Sequence, residues 1–220
     1  MNIETFKAVL IQVIDQLEGG YYHPDMLADG RVKDARYGNS GETMFGLDRK
    51  AGGNLNTTPA GVKFWAEIDK LNARKNWKWN YKGGDVAPRL KEQLADVMFP
   101  HYTDLSNRYL SDKAAQIVES DNRLLFHFIY AAWNGAGWFK KFATKINDAV
   151  ANGTTNADKL VKIALDSRIN SGNSLIAQGG NKIAKFFGTN PTFSYTASRK
   201  SNTKRIVIVV IVIVAVGLLI

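Results

Sequence analysis

The chain has 220 residues, 29 basic against 20 acidic side chains, a net charge of +9, and no cysteine. That length suits one sizeable domain with its own core, and the missing cysteine excludes a disulfide framework, a thiolate zinc site and a cysteine nucleophile. The positive balance suits a polyanionic partner such as bacterial cell wall or nucleic acid; with no dense basic helix, zinc-finger spacing or aromatic strand motif, specific nucleic-acid binding has no support.

Near the N-terminus Ile3, Phe6, Leu10, Val13, Ile14 and Leu17 recur at helical spacing and predict an amphipathic helix with a core-facing stripe. Glu4, Lys7 and Asp15 interrupt the apolar pattern, so the segment does not read as a secretory leader. Glu18 follows one turn after Ile14, on the border of the stripe. A carboxyl half buried there has its pKa raised and serves as a general acid near neutrality. A Glu in a last helical turn is also commonly a solvated surface residue, and this segment alone leaves both readings open. Gly19 and Gly20 are expected to close the helix in the left-handed conformation.

A polar loop, Tyr22 to Asn39, then leads to Gly41-Glu42-Thr43-Met44-Phe45-Gly46-Leu47. Together with Glu18-Gly19-Gly20-Tyr21, this run resembles the glycoside hydrolase family 108 muramidases of bacteriophages and bacteria. Their signature is Glu-Gly-Gly-Tyr, a loop, and Gly-Gly-x-Thr-x-x-Gly-Ile. Here Ser40 replaces the first Gly of the pair and Leu47 replaces the Ile. Ala131-Ala132-Trp133-Asn134-Gly135-Ala136-Gly137 is similar to the Asn-Gly elements that line the sugar cleft in lysozyme-type folds. The resemblance covers residues 1–150. It implies a mainly α, lysozyme-like domain over 1–187 with a small β or irregular region, Glu18 as catalytic acid and Thr43 as a cleft residue near it. Such enzymes usually carry a helical peptidoglycan-binding part, which 111–187 would supply.

Further along, Thr58-Pro59 predicts a helix start with Thr58 as N-cap, leading into Val62, Phe64, Trp65, Ile68 and Leu71. Trp77, Trp79 and Tyr81 alternate within Asn76 to Asp85, which reads as a short strand or an aromatic loop. Trp65, Trp77 and Trp79 suit the core or a sugar platform, the core being the commoner fate. Pro88 opens a helix carrying Leu90, Leu94, Val97 and Met98, with a break expected at Pro100. Leu124 to Trp133 is nearly all apolar and predicts a central buried helix, followed by amphipathic helices over Asp158 to Ile169 and Leu175 to Phe187.

Glycoside hydrolysis usually takes two carboxylates, one protonating the leaving oxygen and one guiding water or stabilising the oxocarbenium-like transition state. Asp25, Asp29, Asp34 and Glu42 are available, with Asp29 and Glu42 preferred as partners of Glu18. Lytic transglycosylases, similar to muramidases in fold, use a single Glu and form an anhydro product. Tyr21, Tyr22, Trp133 and Asn134 fit either chemistry, by stacking on sugar faces and binding acetamido groups. His23, His101 and His127 have no paired spacing for a metal, and His127 is expected as a hydrogen-bonded core residue. Gly41 to Gly46 lacks the Gly-Lys-Ser/Thr ending of a phosphate loop. No metal and no cofactor is therefore expected.

The tail carries a separate signal. Gly188 to Arg205 reads as a polar basic linker, with a flexible reach of roughly 20 Å for its first part. Ile206 to Ile220 is fifteen residues with no polar side chain. As a helix at ~1.5 Å per residue it spans about 22 Å, short of the ~30 Å hydrocarbon core. Snorkelling of Lys204 and Arg205 makes up part of that deficit, so a single-pass transmembrane anchor is expected; a buried strand is the competing reading. The positive-inside rule puts Arg199, Lys200, Lys204 and Arg205, and with them the domain, on the cytoplasmic face. A wall-degrading enzyme there is consistent with a bacteriophage product on a virion membrane or host inner membrane, in contact with other virion proteins. Three function classes follow: an anchored muramidase, a lytic transglycosylase, and an inactive lysozyme-like structural protein.

Overall fold

Asn2 starts the first helix by accepting a hydrogen bond from the Glu4 N–H at 2.8 Å. The computed structural model describes residues 1–23, 41–49 and 55–189. Helix α1 (Ile3–Leu17) buries Phe6, Val9, Leu10, Val13 and Ile14, the stripe expected from spacing. Its end differs from expectation. Glu18 closes the helix in extended geometry (φ −102°, ψ 150°), and neither Gly19 nor Gly20 is among the positive-φ glycines. Close approach is what requires Gly20: a Cβ there would lie 2.5 Å from the main-chain oxygens of Asn80 and Tyr81.

A two-strand hairpin follows, β1 (Thr43–Met44) and β2 (Leu47–Asp48), with Met44 opposite Leu47 and Thr43 opposite Asp48. Phe45 and Gly46 form its turn with φ of 51° and 78°. Two consecutive left-handed residues make the primed turn whose twist matches the flanking strands. Tyr22 pairs with Thr43 through two 2.9 Å main-chain bonds, which attaches the Glu-Gly-Gly-Tyr segment to the hairpin.

The remaining described elements are helical: α2 (Pro59–Lys70), α3 (Ala73–Asn76), α4 (Ala87–Tyr109), α5 (Asp112–Ser120), α6 (Asn122–Trp133), α7 (Ala136–Ala151), α8 (Ala157–Ile169) and α9 (Ser174–Thr189). Thr58 caps α2 as expected, its hydroxyl accepting from the Gly61 N–H at 3.1 Å. The break expected at Pro100 does not occur, and α4 runs through it. An internal proline costs about 3 kcal/mol. Burial on both sides of it, by Val97 and Met98 before and Tyr102 and Leu105 after, offsets that cost.

Helix α6 is the pillar of the fold. Asp121 caps it, accepting from the Arg123 and Leu124 N–H groups, and α1, α4, α5, α7 and α8 pack around it. Buried residues of α5 to α9 join those of α1, α2 and α4 in one continuous core. His127 is buried on α6, but not hydrogen bonded as expected: neither ring nitrogen has a partner. Its ring lies edge-on to Phe142, centroids 5.1 Å apart, and burial holds its pKa well below the usual range, so it serves the core as a neutral aromatic ring.

Between the end of α3 at Asn76 and a single 3-10 turn at Gly84–Val86, the aromatic segment is a loop save for the isolated bridge from Tyr81 to Tyr21. Trp65 and Trp77 are core residues, whereas Trp79 is 58% exposed. Helix α9 continues through Gly188 and Thr189, two residues into the expected linker. The rest of that linker and the expected anchor, Ile206 to Ile220, lie outside the described residues. Among the described residues no helix is long and apolar enough to cross a membrane.

Candidate active site

Glu18 emerges from α1 beneath the hairpin turn. A Cβ built on Gly46 would lie 2.2 Å from Glu18 Oε2 and 2.7 Å from Trp133 Nε1, so turn, carboxyl and indole crowd one point. Gly46 is therefore required twice, by its positive φ and by the space the carboxyl takes. Among the described residues none donates a hydrogen bond to the Glu18 carboxylate. Burial pushes its pKa up from 4.5 to about 7, and Lys182 of α9 pulls the other way. A carboxyl with that value is substantially protonated at neutral pH and can give up its proton, as a general acid requires.

Beside this point opens a cleft of about 370 Å³, within the range of small-molecule sites. Gly46 and Asp48 of the hairpin form part of one wall, and Trp133 and Asn134 at the end of α6 another, with Met98 and His101 contributed by α4. Burial holds the His101 pKa below its ordinary value, and its bond to the Ala132 backbone opposes this. Tyr130, one turn before Asn134, feels the charge of Glu18 and hydrogen-bonds Asn134. Asn134 Oδ1 also accepts from Arg168 Nη1 at 2.8 Å.

Position along the chain is held by two main-chain bonds and one to the Asn80 side chain. The Gly20 N–H donates to Asn80 Oδ1 at 2.7 Å, the Tyr21 N–H to the Tyr81 carbonyl at 2.8 Å, and the Asn80 N–H to the Tyr21 carbonyl at 2.7 Å. Glu18 thus sits between a helix end and a clasped segment, which leaves its backbone little freedom.

The structure brings Glu18, Trp133 and Asn134 together and sets other expected site residues apart. Glu42 as a second catalytic carboxylate is corrected. It accepts from the Tyr21 hydroxyl at 2.5 Å, from Arg49 Nη1 at 2.7 Å and from Arg74 Nη2 at 2.8 Å. Although desolvation raises its pKa, the bonds from Arg74, Tyr21 and Arg49 prevail and hold it below 4.5. It is a fixed anion tying the hairpin to α3, and through Arg49 and Asp69 to α2. Tyr21 as a sugar-stacking residue is corrected for the same reason: it is 0% exposed, its hydroxyl spent on Glu42 and its ring edge-on to Trp77. Tyr22 and Thr43 are half-buried and pair through their backbones. Thr43 stands opposite Asp48, so the two side chains share a face. Asp29, with Asp25 and Asp34, lies outside the described residues.

Asp48 is the cleft carboxylate that sequence reasoning missed. Its Oδ2 accepts from the Gly41 N–H at 3.1 Å. The signal was present in Phe45-Gly46 between Met44 and Leu47, a two-residue turn that fixes Asp48 opposite Thr43. Among the described residues no His, Asp and Glu cluster has the makings of a metal site. Compared with known proteins, the chain matches no family model, no curated protein and no solved structure.

Proposed function

We propose that the protein is a peptidoglycan-degrading glycosidase of the lysozyme type, with Glu18 as general acid. The observation that carries this reading is Glu18 itself: a carboxyl with a pKa of about 7, unpaired among the described residues, at the edge of a cleft lined by an indole and an amide. A helix-end carboxyl facing a small hairpin, with a buried helix behind the cleft, supports the lysozyme-like arrangement. In the reaction Glu18 gives its proton to the bridging glycosidic oxygen as the bond from that oxygen to the anomeric carbon breaks. Positive charge then develops on the sugar ring. Asp48, a carboxylate on the cleft wall, is the candidate to stabilise that charge or to guide water in a muramidase. Trp133 offers a face for a sugar ring.

A second reading, the lytic transglycosylase, is favoured by the commitment of Glu42 to Arg49 and Arg74, since that chemistry takes one carboxyl acid. Mass spectrometry of peptidoglycan treated with the full chain separates the two. Reducing muramic ends that vanish with Glu18→Gln support the muramidase, and anhydro ends support the transglycosylase. Neither product from folded protein would reduce the motif to inherited scaffold and overturn the enzymatic reading. Lipid attachment through Ile206 to Ile220 belongs to the same proposal, as does residence on a virion or host inner membrane. It predicts that the full chain floats with phospholipid vesicles and that Val212→Asp releases it; a parent chain that stays in the dense fraction refutes the anchor.

A further inference from the structure

Arg168 on α8 is the largest of the fully buried side chains, 0% exposed, and no carboxylate among the described residues pairs with it. Its guanidinium is held between rings, 4.7 Å from the Tyr130 centroid and 4.6 Å from that of Phe142. One nitrogen, Nη2, reaches the His127 carbonyl at 3.4 Å, Nε has no partner, and Nη1 makes the 2.8 Å bond to Asn134 Oδ1. Burial lowers its pKa to about 10, which leaves it a cation at neutral pH. The best hydrogen bond of this buried cation therefore goes to a cleft residue.

A guanidinium carries donors only. It takes the oxygen of a side-chain amide, never the nitrogen, and so decides which way round the amide sits. The Asn134 amide is nearly symmetric in shape, and a tyrosine hydroxyl such as that of Tyr130 can meet either end of it, so Arg168 is what selects the orientation. With Oδ1 turned to Arg168, the end of the amide left to Tyr130 and to the cleft that Asn134 lines is its NH₂ group, which has two N–H donors to share between them. Packing on two rings fixes the guanidinium in turn, as a lysine ammonium in the same place would not be.

We propose that Arg168 is a positioning residue of the cleft: by holding Asn134 Oδ1 it makes Asn134 a donor to the carbonyl oxygen of an acetamido group on the substrate. This rests on the glycosidase reading. A site built to donate that bond discriminates against a sugar lacking the acceptor.

The test compares kcat and KM on peptidoglycan with those on the same peptidoglycan after chemical de-N-acetylation, for the full chain, Arg168→Lys and Asn134→Asp. The parent is expected to prefer the N-acetylated wall at least tenfold in kcat/KM. Both variants are expected to lose most of that preference; for Arg168→Lys the loss comes through KM with kcat within about threefold, because the proton donor is untouched. Asn134→Asp guards against misfolding, since it hands Arg168 a carboxylate in place of the amide; its Tm is expected to stay level or rise. Should Arg168→Lys fail to fold, Asn134→Asp carries the same comparison. Cleavage by the parent with an unchanged preference in the folded variants, or a fall in Tm for Asn134→Asp, overturns the positioning role and leaves the glycosidase reading standing. A parent that cleaves neither wall overturns both.

Discussion

Glu18→Gln isolates the cost of burying one carboxyl. Burial carries the group from 4.5 to about 7, and each pH step between those values is worth about 1.4 kcal/mol. Below pH 4.5 the carboxyl is protonated in both folded and unfolded chains, and burial carries no ionisation penalty. As pH rises from 4.5 to 7 the unfolded chain ionises first, so the fold loses stability; above pH 7 the loss levels off at about 3 kcal/mol. Glutamine has the same shape and does not titrate. The unfolding free energy of the variant relative to its parent should therefore shift by about 2.5 kcal/mol in the variant's favour between pH 5 and pH 8. Urea unfolding of both proteins, followed by tryptophan fluorescence, measures this difference, and groups that titrate alike in the two chains cancel. A difference that is the same at both pH values would refute the burial of Glu18 and, with it, the basis for the acid role proposed for it.

The same variant should lose about 10²- to 10⁴-fold in turnover of peptidoglycan, and the parent's rate should fall above pH 7 as Glu18 gives up its proton; a rate flat to pH 9 contradicts the assignment. Gly46→Ala places a Cβ against the Glu18 carboxyl and keeps a positive φ, at a backbone cost of about 1–2 kcal/mol. Thermal unfolding should show that modest loss while turnover drops far more, and full turnover would mean the turn does not hold the carboxyl. Glu42→Gln removes a buried partner from Arg49 and Arg74 and should cost about 3 kcal/mol at pH 7, read by urea titration. Because the folded-state pKa of Glu42 is lowered, that stability is present above pH 4.5 and lost as pH falls below it, so the parent–variant gap should close in acid.

The helices of this chain were legible wherever one face carried the apolar stripe: α1, α2, α6, α8 and α9 follow their periodicity, although Val62 of α2, read with that stripe, is exposed. Pro100 shows the limit, since a local breaking rule cannot register the packing on both flanks that holds α4 together. The glycines after Glu18 show another. Sequence offered a cap, while the requirement comes from Asn80 and Tyr81, sixty residues away. Within the site, Glu18, Trp133 and Asn134 were readable from short motifs. Glu42 was misread because a carboxylate's role depends on its neighbours, and Arg49 and Arg74 are distant in sequence or hidden among many basic residues. Arg168 was invisible for the same reason: an arginine in an amphipathic helix reads as solvated until the rings of Tyr130 and Phe142 close over it.

The clasp over Gly20 and Tyr21 separates anchoring from display. Its bonds come from backbone atoms and from the single amide of Asn80, whose left-handed φ of 60° suits asparagine. Lys78, Trp79 and Lys82 around it are exposed and contribute none of those bonds. The loop is thus a socket with interchangeable facing: those three positions can be rewritten together, for affinity, solubility or attachment chemistry, without moving the carboxyl below, provided Asn80 stays.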